Sequence, residues 1–519
     1  MLGIPRSSGI VLHPTSLPGR FGMGEIGPEA HHWLQWLSST RQRLWQMLPL
    51  GPTGHGNSPY QSLSSFAGNP LLISFDALRN DGVLLPGDLA MMPAFLEDRV
   101  EFGPVTEVRT AFLKLAARRF ITQTESSPLL GHAFESFCAR EAAWLDDWAL
   151  FAALKQENSL RSWTEWPRAI ALREPQAMAE AIIRLDPEVA EHKALQFLFF
   201  RQWQQLRGRA HELGVSLIGD IPIFAAHDSA DVWAAPHLFH LDETGNPTVV
   251  AGVPPDYFSA TGQRWGNPLY DWDAHRADGF AWWKARLRAT LRMVDVVRVD
   301  HFRGFAAYWE IPASEPTAEN GRWVESPGKE LFEALKVEFG GNLPVIAEDL
   351  GIITPDVVEL RESQGFPGMR VMQFAFGGDQ LAPDYVPENY PVDSVAYTGT
   401  HDNDTTIGLF QGSESADSTR TAEQIQAERQ CILEYTGTDG SELNWDFIHR
   451  VWASKADFAL CPLQDVLGLG SESRMNLPGK SGEFWTWRFK WEDMTPHIEK
   501  RLREVTEQND RARIREQSD

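Results

Sequence analysis

Two rhythms of apolar and polar positions run along this chain. Short β-rich runs that end in polar or acidic residues recur at 10–13, 45–50, 215–220, 294–300, 345–348, 369–374, 395–398 and 458–461. Between them lie stretches with helical spacing. Leu195, Leu198, Phe199, Leu206, Ala210 and Leu213 precede Gly214, a natural C-terminal stop, and Phe280, Trp283, Leu287 and Leu291 form a second apolar stripe before the run at 294–300. An alternation of eight such runs with helices predicts an α/β fold, a TIM (β/α)8 barrel.

Two intervals are too long for plain barrel connections. Residues 80–200 are rich in Ala, Glu, Arg, Leu and Trp, as in RTAFLKLAARRF and AREAAWLDDWALFAALKQ, and predict an inserted, mostly helical subdomain. Residues 226–275 are punctuated by Gly, Pro, Asn and Asp, as in VVAGVPPDYFSATGQRWGNPLYDW, and predict a loop-rich insertion. No repeat or low-complexity tract interrupts the chain, and the charged tail from Thr495 reads as a solvated helix. The 519 residues therefore read as one catalytic barrel, 1–519, with two insertions.

Composition narrows the partners. An apolar fraction of 43%, with 20 Trp and 29 Phe, is enough for a large core. The formal charge of −24 repels phosphate backbones and anionic lipid, so neither nucleic acid nor membrane is an expected partner, whereas a neutral sugar is indifferent to that field. The three cysteines, Cys138, Cys431 and Cys461, match no metal or redox spacing. With no secretory leader and no apolar run of bilayer length, the expected setting is a reducing cytoplasm.

Three strand ends carry acids. In VVRVDHFRG the two-residue side-chain period puts Arg298 and Asp300 on one strand face, where the guanidinium would hold the carboxylate ionised as a nucleophile requires; a structural Arg/Asp pair would leave the same trace. LPVIAEDLG ends a second run at Glu348, with Asp349 pointing the other way and Gly351 freeing the turn. Burial beside other acids would raise Glu348 towards a general acid, while helix capping or ion pairing is the structural alternative. VAYTGTHDNDTT adds His401 and Asp402, with Asp404 read as a turn residue; the cluster could bind metal, but no HxH or HExxH pattern accompanies it. Carboxylates from separate strands suggest glycosidic chemistry, and Tyr60, Tyr257, Phe258 and Trp265, with the hydrogen-bonding Asn57, Asp256 and Gln263, fall in polar loops where flat rings can stack on sugars.

These segments, GIVLHPTSLPG, SPYQSLSSFAGNP, IGDIPIFAAHDSADVW, VVAGVPPDYFSATGQRWGNPLY, VVRVDHFRGF, VIAEDLG, TGTHDND and LGLGSESRMNLPG, occur in this order from near residue 9 to about 479. In them the chain resembles the amylomaltases, 4-α-glucanotransferases of the α-amylase clan. The resemblance implies Asp300 as nucleophile, Glu348 as general acid/base and Asp402 as the carboxylate that distorts and orients the sugar. It implies that Asp220, Arg298, His301 and His401 line the donor site and that Tyr60 and Trp265 stack on sugars. Asp256 and Gln263 then belong to a covering loop, and Asn476 contacts sugar. It implies α-1,4-glucans as substrates, glucose as an acceptor, no cofactor and no metal, and a monomer or weak homo-oligomer. Asn57 departs from the Asp that family members often carry there. An α-glucan hydrolase on the same site, a glucan-binding protein without activity and a metal-dependent hydrolase are the competing readings.

Overall fold

The structure is a computed structural model that describes residues 3–255, 261–351, 353–378, 382–412, 421–480 and 482–512. Among the described residues twelve strands follow in chain order: β1 (Ser7–Val11), β2 (Leu44–Gln46), β3 (Ser216–Ile221), β4 (Val249–Val253), β5 (Gln263–Pro268), β6 (Val296–Val299), β7 (Ala307–Pro312), β8 (Arg322–Glu325), β9 (Val345–Ala347), β10 (Gly368–Val371), β11 (Ser394–Tyr397) and β12 (Phe458–Pro462). Eight of them close a parallel barrel in the order β1-β12-β11-β10-β9-β6-β3-β2. The barrel is the TIM barrel expected from the run pattern.

The two-residue period sorts the side chains. Val11, Leu44, Ile218, Val296, Ile346, Met369, Val371, Val395, Tyr397, Phe458 and Leu460 point inward and fill the lumen as one apolar cluster. Val297, Val299, Leu217 and Ala347, one residue out of phase, face the surrounding helices. Gly9 sits so close to β2 that a Cβ there would lie 2.1 Å from the Leu44 carbonyl oxygen, so the β1–β2 pairing requires glycine.

Boundaries move for local reasons. β1 starts at Ser7 because the buried Ser8 hydroxyl is satisfied by Gln42, at 2.8 Å, which lets a polar residue sit in a strand. The run at 369–374 stops being a strand at Val371, since Met372–Phe376 turns into a 3-10 helix.

Between β2 and β3 the chain builds the long helices Phe102–Ser126, Pro128–Glu157 and Asp186–Glu212. Arg109 in the first of them is fully buried against the barrel, with its guanidinium 2.7 Å from Glu25, 2.8 Å from the Ile73 carbonyl and over the Phe75 ring at 4.3 Å. The segment expected to be loop-rich instead contributes β4 and β5 to a four-stranded antiparallel sheet, order β5-β4-β7-β8. Its other two strands come from the connection that follows β6, with Gly252 opposite Trp309 and Trp309 opposite Trp323. Among the described residues no helix is long and apolar enough to cross a membrane.

Candidate active site

Three adjacent strands carry their inward columns upward from apolar to charged: Ile218 to Asp220 on β3, Val296 to Arg298 and then Asp300 on β6, and Ile346 to Glu348 on β9. The register brings these columns side by side, Asp220 opposite Arg298 and Arg298 opposite Ile346. Arg298 lies 2.6 Å from Asp220 Oδ2 and 3.0 Å from Asp300 Oδ1, and Tyr60 Oη donates to the same Asp220 oxygen at 2.7 Å. Arg298 and Asp220 are both buried, so neither charge could persist there without the other.

Glu348 is fixed by the backbone around it. The His301 N–H donates to its Oε2 at 2.7 Å and the Leu350 N–H to its Oε1 at 2.9 Å. Two left-handed turns make this possible, at His301 with φ 50° and at Gly351 with φ 86°. The peptide that follows Asp300 therefore holds the carboxylate of Glu348, which joins the two acids through one bond. Asp349 does turn away, taking an N–H from Met369 at 2.7 Å and pairing with Arg361 at 3.2 Å.

Electrostatics here differ from the expectation for Asp300. Burial pushes its carboxyl well above the ordinary range, and Asp220, Glu348 and Asp402 add to the rise; Arg298 opposes it without cancelling it. Burial likewise raises Glu348, against the pull of Arg298 and its two N–H donors. His301 is pushed down to about 4 by burial, and burial lowers His401 as well, so both rings are neutral near pH 7.

Asp402 stands beyond β11 on a loop, its side chain 42% exposed, while that of Asp300 is 28% exposed. Asn476 Nδ2 donates to Asp402 Oδ1 at 2.7 Å, and His401 Nε2 lies 3.4 Å from Oδ2. The His401 ring stacks on Tyr60 with centroids 5.1 Å apart. Asn403 Oδ1 turns back to the Thr400 N–H at 2.9 Å and Asp404 Oδ2 accepts from Ser471 at 2.8 Å, so the acidic cluster disperses to separate partners.

Trp265 belongs to β5 rather than to a loop, and its ring meets His301 edge to face at 4.9 Å. Its Nε1 donates to Gln263 Oε1 at 3.2 Å. Thus Tyr60, Asp220, Arg298, Asp300, His301, Glu348, His401, Asp402 and Asn476 meet at one barrel mouth, and Gln263 and Trp265 reach it from the small sheet. Asp256, Tyr257 and Phe258 lie outside the described residues. Asn57 adopts φ 56°, a left-handed conformation that Asn and Asp tolerate best, which gives that position a conformational role. Trp485, 6.0 Å from Tyr60 and 6.1 Å from His401, was not singled out by sequence; the aromatic density of GEFWTWRF was its only signal.

Comparison with known proteins finds relatives over nearly the whole chain. Residues 12–495 match the family model described as 4-alpha-glucanotransferase. The chain is 48% identical over 510 residues to a 4-alpha-glucanotransferase of Thermus thermophilus, covering 98% of this chain and 99% of that one. It is 47% identical over 505 residues to the Synechocystis enzyme of that name, covering 97% of each. The amylomaltase from Streptococcus agalactiae in complex with acarbose superposes with a TM-score of 0.91 at 36% identity, covering 98% of this chain and 99% of that one. On the strength of a barrel, a cluster of carboxylates at its mouth and near full-length similarity, the chain belongs to the 4-alpha-glucanotransferase family, the amylomaltases.

Proposed function

We propose that the enzyme moves α-1,4-glucan segments between maltodextrins by a retaining double displacement, with Asp300 as nucleophile and Glu348 as general acid/base. An Asp300 carboxylate oxygen attacks the anomeric carbon as the glycosidic C–O bond breaks, and Glu348 gives its proton to the departing 4-oxygen. The product is a β-linked glycosyl ester on Asp300. Glu348, now ionised, takes the proton from an acceptor 4-hydroxyl, whose oxygen attacks the same carbon and releases Asp300. Two inversions restore the α configuration. Asp402 orients and distorts the sugar, Asp220 and Arg298 hold the nucleophile, and the neutral His301 and His401 hydrogen-bond sugar hydroxyls. Tyr60 and Trp265 stack on rings, while Asp256, Gln263 and Asn476 contact the bound chain.

The observation that carries this reading is the bond from the peptide after Asp300 to Glu348, which fixes both acids at neighbouring strand ends. Burial raises the Glu348 carboxyl in the direction a proton donor needs; Asp300 is raised as well, and what favours its ionised form is the Arg298 guanidinium 3.0 Å from its Oδ1. The acarbose-bound amylomaltase supports an α-glucan substrate. Neutral sugars suit a strongly acidic protein, and three free cysteines suit a reducing cytoplasm.

A fluorinated maltosyl donor should trap the intermediate on Asp300; a label on any other residue overturns the assignment. Digestion of maltotriose should give glucose and a ladder of longer maltodextrins, whereas only shorter sugars would identify a hydrolase. Asp300→Asn and Glu348→Gln should each lose at least ~10³-fold in kcat on maltotriose. With α-maltosyl fluoride, whose leaving group needs no proton, Glu348→Gln should recover much of its first step and Asp300→Asn none.

A further inference from the structure

Asp300 and Glu348 are carried by strand ends and neighbouring peptides, but Asp402 is not. It lies on the 400–405 loop beyond β11, and besides its contacts with Thr400 and His401 in that loop it is held from a second segment, 470–476, which follows β12 and the helix Leu463–Leu467. The guanidinium of Arg474 sits between the two. Its Nη2 donates to the Asp402 carbonyl at 2.5 Å, its Nε donates to the Asn476 carbonyl at 2.5 Å, and its Nη1 is 4.0 Å from Asp404 Oδ2. Around it, Asn476 Nδ2 reaches Asp402 Oδ1 and Ser471 Oγ reaches Asp404 Oδ2.

We propose that Arg474 is a positioning residue for the reaction, a two-carbonyl clamp that sets both the backbone of Asp402 and the amide of Asn476 that aims its carboxylate. The inference rests on the reading of Asp402 as the sugar-orienting acid. The guanidinium reaches the two carbonyls from two different nitrogens, Nε and Nη2, held in one plane; an ammonium of equal charge can bond two carbonyls only where both converge on its single nitrogen, as those of Leu160 and Arg161 do on Lys155. Without the clamp the Asp402 carboxylate keeps the Asn476 amide and the neighbouring His401 nitrogen, and the loops keep the Ser471–Asp404 bond, but the backbones of Asp402 and Asn476 lose the anchor that sets them relative to each other. A displacement of about 1 Å in a group that acts on the distorted sugar costs on the order of 10²-fold in rate. Since the geometry is needed at the transition state, the loss belongs in kcat rather than KM.

The test is a double-mutant cycle on maltotriose between Arg474→Ala and Asp402→Asn, with thermal unfolding followed by circular dichroism. Arg474→Ala should lower kcat about 10²-fold, move KM by less than about threefold, and regain activity when guanidinium is added at tens of millimolar. In the Asp402→Asn background the same substitution should cost less than about threefold, since its target is already gone. An equal loss in both backgrounds, or a kcat within about threefold of wild type, overturns the clamp. If Arg474→Ala does not fold, Arg474→Lys serves, with a comparable kcat loss expected and a wild-type kcat again overturning it. If Asp402→Asn itself retains full activity, the reading of Asp402 fails and takes the clamp with it, an outcome distinct from failure of Arg474 alone.

Discussion

Crowding at Asp300 has a measurable consequence for stability. Its carboxyl is raised by burial, so ionising it costs the folded protein more than the unfolded chain. That cost accumulates as pH rises from the ordinary carboxylate range towards the raised value and is constant beyond it. Asp300→Asn removes it, so the inactive variant should melt higher than wild type at pH 7, with the gain shrinking as the pH falls through 4 and gone by about pH 2.5. A gain that does not depend on pH would indicate another cause. At His301 the shift runs the opposite way, because burial disfavours the cation. Its ring nitrogens should titrate with a midpoint near 4 in 15N spectra of the free enzyme, whereas a midpoint near 6.5 would mean that the ring is solvated.

Among the elements, helix Phe102–Ser126 depends on a single buried charge. Replacing Arg109 with Ala strands Glu25, itself buried and already raised by burial, and should cost about 3–5 kcal/mol in denaturant unfolding, while the paired change Arg109→Met with Glu25→Leu should cost far less. Other elements differed in how clearly the chain announced them. The barrel strands were readable because each has one apolar face and ends in a polar step, so a period of two residues betrays both strand and site: Arg298 and Asp300 share a column by arithmetic alone. β7 and β8 carry no comparable mark: Trp309 and Trp323 pair with one another, and the second side of β7 is covered only when β4 arrives from the preceding connection. For the same reason Trp265 looked like a loop residue. Asn476 was recognisable within its motif, but Arg474 two residues earlier was not, because a guanidinium bonded to carbonyls leaves no trace in residue type.

At the scale of the whole molecule, Arg511 braces the junction of the first and last barrel strands, whose own ladder runs from Ser7 opposite Phe458 to Val11 opposite Pro462. Its guanidinium, fully buried, donates to the Ser7 carbonyl of β1 at 3.2 Å and to the carbonyls of Trp452, Ser454, Ala456 and Asp457 ahead of β12 at 2.7, 3.1, 2.9 and 3.2 Å. Arg6 also donates to the Trp452, Ser454 and Ala456 carbonyls and the Ser7 N–H to that of Asp457, so Arg511→Ala removes five bonds without leaving most of the acceptors unpaired; it should cost about 1–3 kcal/mol in denaturant unfolding, with kcat unchanged in the folded fraction. The small sheet has an implication for anyone recombining these enzymes. Because its strands are donated in pairs from either side of β6, a chimera that imports residues 226–275 alone inherits a half-ribbon with a foreign seam at Gly252 and Trp309, and only joint transplantation with 307–325 preserves the interlock.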